Sequence, residues 1–149
     1  MREAAAPWDD AFTHVLWRAQ NAVHRKVQEA VDEFGVTATQ LGLAVHLDEL
    51  GPLSAADLSR AFRIAPQSVG TALSRLEKLQ WVSRRPHPVH GRVQLYELTD
   101  AGLARVARGR EVVADVNSSV TAGLSAAETD QLIKLLGRVT DGIDVPATR

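Results

Sequence analysis

Leu53–Arg85 reads LSAADLSRAFRIAPQSVGTALSRLEKLQWVSRR, two short helical patterns separated by a break. Ser54-x-x-Asp57 has the spacing of a capping box, in which a side chain at each end satisfies the backbone N–H of the other. Leu53 and Leu58 flank it as a hydrophobic staple, and the helix it opens is the short SAADLSRAF. The turn RIA follows, and Pro66 suits the first position of the next helix because its missing N–H would have no partner there. In PQSVGTALSRLEKLQ the apolar residues Val69, Ala72, Leu73, Leu76 and Leu79 fall on one face. Gln67, Ser68, Thr71, Ser74, Arg75 and Lys78 fall on the other. Two helices joined this tightly, the second with small polar and basic residues outward, make a helix-turn-helix.

After Gln80 the period changes from helical to extended. WVSRR and RVQLYEL are rich in β-branched and aromatic residues and bracket the loop PHPVHG, which predicts a hairpin with Arg92 opening its second strand. A hairpin directly after a helix-turn-helix makes the unit winged.

Outward from this core, Thr37-x-x-Gln40 is a second capping box, opening a helix that runs to about Leu50 and stops at Gly51-Pro52. Upstream, Trp8, Phe12, Val15, Leu16, Ala19, Val23, Val27, Val31 and Phe34 recur at helical steps with no internal Gly or Pro. A helix of that extent is about 40 Å long, too long for one small domain to cover. Downstream, Thr99-Asp100 caps a helix to about Val120, and Ser125-x-x-Glu128 opens the last one, with fraying expected from Asp144. The expected fold is mainly α with a small β-hairpin. An N-terminal helix spans 1–35, a winged helix-turn-helix lobe 36–99 with its wing at about 81–98, and C-terminal helices 100–149.

Charge is segregated along the 149 residues. From Arg60 to Arg92 there are seven basic residues against one acid, Glu77, while the rest of the chain carries ten basic and seventeen acidic groups. A basic middle between acidic ends points to a polyanion; the alternative is a solvated arginine-rich face. No apolar run reaches the length of a membrane span, and MREAAAPWDDAF lacks the apolar core of a signal peptide, so the chain reads as cytoplasmic with no membrane partner. Without cysteine, thiolate metal sites and thiol redox sensing are excluded.

The major groove of B-DNA admits a helix and distinguishes all four base pairs. Gln67, Ser68 and Thr71 are short enough to reach base edges or phosphates as the backbone approaches, and Arg75 can reach guanine or the backbone. Ser74 and Lys78 share their face, and Arg63 stands at the turn. Gly70 weakens the helix by up to about 1 kcal/mol, which close approach to a phosphate or to the preceding helix would offset. Arg92, beside a glycine at the wing, suits the narrow minor groove, whose negative potential attracts guanidinium groups. Arg84 and Arg85 at the wing's base are placed for phosphates.

From about Val36 to Gly102 the chain resembles the winged-helix core of the MarR family of regulators. The residues that carry the likeness are LSAADLSRAFRIAPQSVGTALSRLEKLQWVSRR, the wing arginine Arg92, and LTDAG at 98–102. The outer helices are similar to that family's dimerisation region. The resemblance implies a homodimer on palindromic promoter DNA, usually a repressor released by a small ligand. The family's wing commonly carries Asp-x-Arg; the triplet here is His90-Gly91-Arg92, so the arginine carries over and the aspartate's orienting salt bridge does not. A glycine usual after the recognition helix is Gln80 here.

Other chemistries find less support. His87 and His90 could be half a metal site, but no cysteine or acidic cluster completes it, and they read as polar loop residues whose charged form a polyanion favours. His46, Asp48 and Glu49 lack the spacing of a metalloprotease helix. His14, Trp17 and His46 are the candidates for walling an effector pocket, for a small aromatic or phenolic ligand, between dimer arm and lobe; the alternative makes Trp17 core and the histidines paired or partly exposed. No nucleophile elbow, P-loop or paired carboxylates suggest an enzyme, and no cofactor is implied. The competing function is a winged helix used as a protein-interaction module, which has no need of basic residues on both helix and wing.

Overall fold

The computed structural model describes residues 8–144, so the first seven residues and the tail after Asp144 lie outside the described residues. Six helices and three strands follow one another: α1 Phe12–Val31, α2 Ala38–Leu50, β1 Leu53–Ser54, α3 Ala55–Phe62, α4 Pro66–Lys78, β2 Val82–Pro86, β3 Gln94–Leu98, α5 Asp100–Val120 and α6 Ala126–Asp144. The chain divides into two compact units between Ala114 and Asp115, a boundary that falls inside α5.

The expected N-terminal helix is interrupted at both ends. A short 3-10 turn, Trp8–Asp10, precedes Ala11, whose extended backbone breaks the helix, and a second 3-10 turn, Asp32–Phe34, ends it. The continuous helix is therefore 20 residues, about 30 Å. Gln28 ties its end to the next element. Its side-chain oxygen accepts from the Ala38 N–H at 2.9 Å, and its amide donates to Asp32 and to the Val36 carbonyl.

All three capping boxes form as read. Thr37 and Gln40 bond reciprocally at 3.1 and 3.0 Å, Ser54 and Asp57 close the start of α3, and Ser125 and Glu128 the start of α6. The Asp57 carboxylate accepts from the Ser54 hydroxyl at 2.6 Å, which holds it below the usual carboxylate range, with the Ser54 N–H and Arg60 adding to the effect against partial desolvation. A carboxylate depressed in the folded state stabilises above its unfolded pKa, about 3.9, and loses that contribution as pH falls through the folded value. The urea midpoint of Asp57→Asn is thus expected to fall less below about pH 4 than that of the wild type; parallel acid limbs for the two proteins would remove Asp57 from the acid response.

The core gathers Val31 and Phe34, Leu41, Leu43, Ala44 and Leu47 of α2, Leu58 of α3, Val69, Ala72, Leu73 and Leu76 of α4, Trp81 and Val82, and Val106 of α5. Each fully buried Leu or Val contributes about 1.5–3 kcal/mol, so α4 is held by its inner face. Trp81 packs edge-on against Phe34 with centroids 6.4 Å apart.

The sheet has three antiparallel strands in the order β1–β3–β2, where the sequence suggested a two-stranded hairpin. Leu53 pairs with Tyr96 and Ser54 with Leu95, so the residues that staple and cap α3 also anchor the inner wing strand. β2 and β3 run in register from Val82↔Leu98 to Pro86↔Gln94. Arg92 consequently lies in the loop rather than opening the second strand, which starts at Gln94.

α4 ends at a left-handed residue that is not glycine. Gln80 has φ 60°, its N–H donates to the Glu77 carbonyl at 2.9 Å, and the Trp81 N–H donates to the Leu76 carbonyl at 2.9 Å. That pair of bonds is a Schellman cap, usually built on glycine. Holding a side chain in this region costs about 1–2 kcal/mol, so Gln80→Gly is expected to raise stability by about 1 kcal/mol after glycine's larger entropy loss. A lower melting temperature for the variant would show that the Gln80 side chain contributes contacts outweighing the strain.

Candidate nucleic-acid interface

The turn between α3 and α4 is Arg63–Ala65, three residues as a helix-turn-helix requires. Arg63 caps α3 at φ 55°, ψ 40°, and with Gln80 makes the two left-handed non-glycine residues of the described chain. Ser59 fixes the turn, its hydroxyl donating to the Ile64 carbonyl at 2.7 Å. Pro66 then opens α4 with no side-chain cap, which leaves the first N–H groups of this helix open to an anion.

Every outward residue read from the sequence is exposed on α4: Gln67, Ser68, Thr71, Ser74, Arg75 and Lys78. Among the described residues, the side chains of Gln67, Ser68, Ser74 and Lys78 make no hydrogen bond or ion pair. The Thr71 hydroxyl donates to the Gln67 carbonyl at 3.1 Å and keeps its lone pairs outward. Arg75 reaches the Gly35 carbonyl at a loose 3.5 Å. A Cβ on Gly70 would meet nothing within 4 Å, so the preceding helix is not what requires glycine there.

Two cavities along this helix bring in residues the sequence reading did not select. One of about 510 Å³ is lined by Gln28, Asp32 and Gly35 together with Thr71 and Arg75. The other, about 370 Å³, is lined by Thr37, Thr39 and Gln40 facing Gln67, Ser68 and Thr71. The start of α2 therefore stands beside the start of α4. The capping box at Thr37 announced the helix start, but nothing local in the sequence announces that neighbour.

On the wing the basic residues divide. Arg84 pairs with Glu77 and Arg85 with Glu97, each at 3.2 Å; on α3, Arg60 likewise pairs with Asp57. Exposed pairs of this kind are worth about 0–1 kcal/mol, so a phosphate competes easily, and meanwhile the acids hold the guanidinium groups in place. Arg92 is exposed and makes no such pair among the described residues. The rings of His87 and His90 lie tilted against each other at the wing tip, with centroids 5.2 Å apart. Nδ1 of His87 accepts backbone N–H bonds from Val89 and His90, which makes this polar loop residue an acceptor within its own loop.

Comparison with known proteins places this lobe. The MarR family model matches residues 34–93, from just after the first helix to the wing loop that precedes β3. The HTH-type transcriptional regulator YdgJ of Bacillus subtilis is 30% identical over 110 residues, 74% of this chain and 67% of that protein. The chain belongs to the MarR family. It is a transcriptional regulator and not an enzyme, and this membership does not favour the protein-interaction module. An HTH-type transcriptional repressor of Mycobacterium tuberculosis is 28% identical over 132 residues, 88% of this chain and 95% of that one. The structure of BpsR from Bordetella bronchiseptica, whose DNA binding is regulated by 6-hydroxynicotinic acid, shares the fold. It aligns with a TM-score of 0.86 at 24% identity over 91% of this chain and 96% of its own.

The three candidates for an effector pocket in this MarR-family chain divide between α1, which carries His14 and Trp17, and α2, which carries His46. His14 stacks on Trp17 at 6.0 Å and lies 5.2 Å from Trp8, and the three line a cavity of about 470 Å³ at the start of α1. His46 sits on α2, its Nδ1 2.9 Å from the Gly42 carbonyl and its ring edge-on to Phe62 of α3. No helix among the described residues is long and apolar enough to cross a membrane, and these residues hold no cluster of three His or carboxylate side chains fit for a metal ion.

Proposed function

We propose that the chain acts as a homodimer that binds a palindromic operator in double-stranded DNA and represses transcription until a small aromatic or phenolic ligand releases it. The observation that carries this reading is the face of α4, where six polar or basic side chains are exposed opposite four buried apolar ones. In a two-fold dimer the two copies of α4 enter successive major grooves about 34 Å apart. Gln67, Ser68, Thr71, Ser74 and Arg75 read or approach bases, while Arg63, Lys78, Arg84 and Arg85 hold phosphates and Arg92 enters the minor groove.

The functional division is an arm at 1–35, the reading lobe at 36–99 and a second arm at 100–149. Two apolar stripes support the dimer. On the first arm Trp8 and Trp17 are 71% and 62% exposed, with Phe12 and Val15 beside them. On α6, Ile133 is 64% exposed, with Leu132, Leu135 and Leu136 alongside. Faces of this kind are rarely left in water by a soluble chain, and a second copy covers them. For release, BpsR offers the precedent of a small aromatic acid, and the His14–Trp17 stack offers an aromatic wall. A ligand acts here only by binding the DNA-competent and incompetent forms unequally.

Fluorescence anisotropy against the duplex upstream of the chain's own coding sequence tests the reading, with a shuffled duplex as control. Raising salt from about 50 to 200 mM is expected to cost at least about 10²-fold in affinity, as several neutralised phosphates require. Equal, weak binding of both duplexes at low salt would remove sequence-specific DNA recognition.

A further inference from the structure

The wing loop is organised by one imidazole. Nδ1 of His87 accepts from the backbone N–H of Val89 and of His90, each at 3.1 Å. The loop closes behind it, with the His87 N–H donating to the Val93 carbonyl at 2.8 Å and the Val93 N–H to the His90 carbonyl at 2.7 Å. Arg92 lies between His90 and Val93, inside this closed circuit. A backbone N–H only donates, so Nδ1 must be bare and the ring must be the neutral tautomer protonated on Nε2. A proton on Nδ1 would set three donors against one another.

We propose that His87 is the positioning residue of the wing: its neutral imidazole clamps the loop backbone that carries Arg92, and a proton on Nδ1 opens the clamp. This inference rests on the reading of the wing as a DNA contact. The position two residues before Arg92 holds His90, which supplies no carboxylate, and the anchoring falls instead to a side chain five residues before it. The titratable and charged groups of the wing are His90, whose ring lies tilted against that of His87 at 5.2 Å, Arg92 on the same loop, Arg84 and Arg85 on β2, and Glu97 on β3. Arg84 and Arg85 are taken up by Glu77 and Glu97.

The clamp and simple charge attraction predict opposite signs. If the histidine acted as a charge, acid would tighten binding to a polyanion. With the clamp, acid loosens the loop and weakens binding. His87→Asn separates the two, because an asparagine oxygen accepts backbone N–H bonds two residues on and does not titrate. Affinity for the fluorescein-labelled upstream duplex is measured at constant salt from about pH 8 to 5.5, the range in which imidazoles change charge. Wild type and His87→Asn are expected to agree within about twofold at pH 8, the wild type falling about 5- to 10-fold behind by pH 5.5. His87→Ala is expected to bind weakly at both ends with an unchanged melting temperature. A wild type that gains on His87→Asn in acid, or stays level with it, overturns the clamp. In the DNA-free protein, NMR is expected to show the Val89 and His90 amide shifts moving together with the His87 ring titration. Amides that ignore that titration overturn the clamp even if DNA binding is found; amides that follow it while no duplex binds leave the clamp standing and reject the DNA reading.

Discussion

Replacing Gly102 with alanine is expected to lower stability by about 1–3 kcal/mol and the melting temperature by roughly 3–10 °C. Gly102 lies in the first turn of α5, where its N–H donates to the Thr99 hydroxyl at 3.0 Å. A Cβ there would stand 2.0 Å from the Trp81 carbonyl oxygen and 2.9 Å from its carbon. Both are backbone atoms, which no rotamer change can move. Trp81 cannot retreat either, being buried against Phe34, and its carbonyl already accepts the Thr99 N–H at 3.0 Å. The start of α5 has to shift outward and stretch that bond. Overpacking of this kind costs about 1–3 kcal/mol and a weakened hydrogen bond about 1 more, against which alanine's helix propensity returns about 1.

Gly70→Ala is the matching control, since that position is helical and open, and the propensity gain of up to about 1 kcal/mol should appear undiminished. The two melts have to be compared at one protein concentration, because the transition of the proposed dimer depends on it. A Gly102→Ala protein as stable as the wild type would show that the helix start yields freely and that the wing does not depend on this latch.

Gly102 also shows which features a sequence reveals. Its place in LTDAG was plain, yet its reason is a carbonyl twenty-one residues earlier, which no local pattern reports. The three capping boxes, by contrast, are local chemistry: a hydroxyl and a carboxylate or amide three residues apart satisfy one another wherever the chain goes. Helix-turn-helix and wing were legible for the same reason, through a 3.6-residue period that changes to an extended one after Gln80. The break at Ala11 was not, because no Gly or Pro marks it. Nor was β1, since two residues cannot display a period and Leu53–Ser54 already had a role at the start of α3.

Within the candidate interface, the outward face of α4 was readable because exposure there follows from helical spacing alone. Pairing was not readable. Arg84 and Arg85 looked like free charge in a run of seven basic residues, and only the fold brings Glu77 and Glu97 against them. Glu97 lies five residues beyond that run, across the hairpin. The same fold brings Thr37 and Gln40 beside Gln67 and Ser68, a juxtaposition set by tertiary packing. His87 was visible as a loop residue, but its acceptor role depends on which way its ring turns.

Arg92→Ala is expected to weaken binding to the proposed operator by about 10²-fold while leaving the proposed homodimer and its melting temperature unchanged. Arg92 is exposed in the loop and makes no ion pair among the described residues, so no folded-state contact is lost with it. A guanidinium in the minor groove or on phosphate is worth about 1–3 kcal/mol. Because every chain of a dimer carries the substitution, two wings lose it together; at about 1.5 kcal/mol each the loss is about 3 kcal/mol, or two decades in affinity. Arg85→Ala supplies the contrast. It removes a charge already shared with Glu97, and its effect is expected to stay within about tenfold, since exposed pairs are worth about 0–1 kcal/mol in the free protein and the freed glutamate adds some repulsion. The salt dependence separates the roles further, because each lost phosphate contact lowers the slope of log affinity against log salt by about 0.9. Titrations at four salt concentrations, with light scattering to confirm the dimer, read all of this from one set of samples. An Arg92→Ala protein that binds as tightly as the wild type would leave recognition to α4 alone and reduce the wing to a spacer at the edge of the groove.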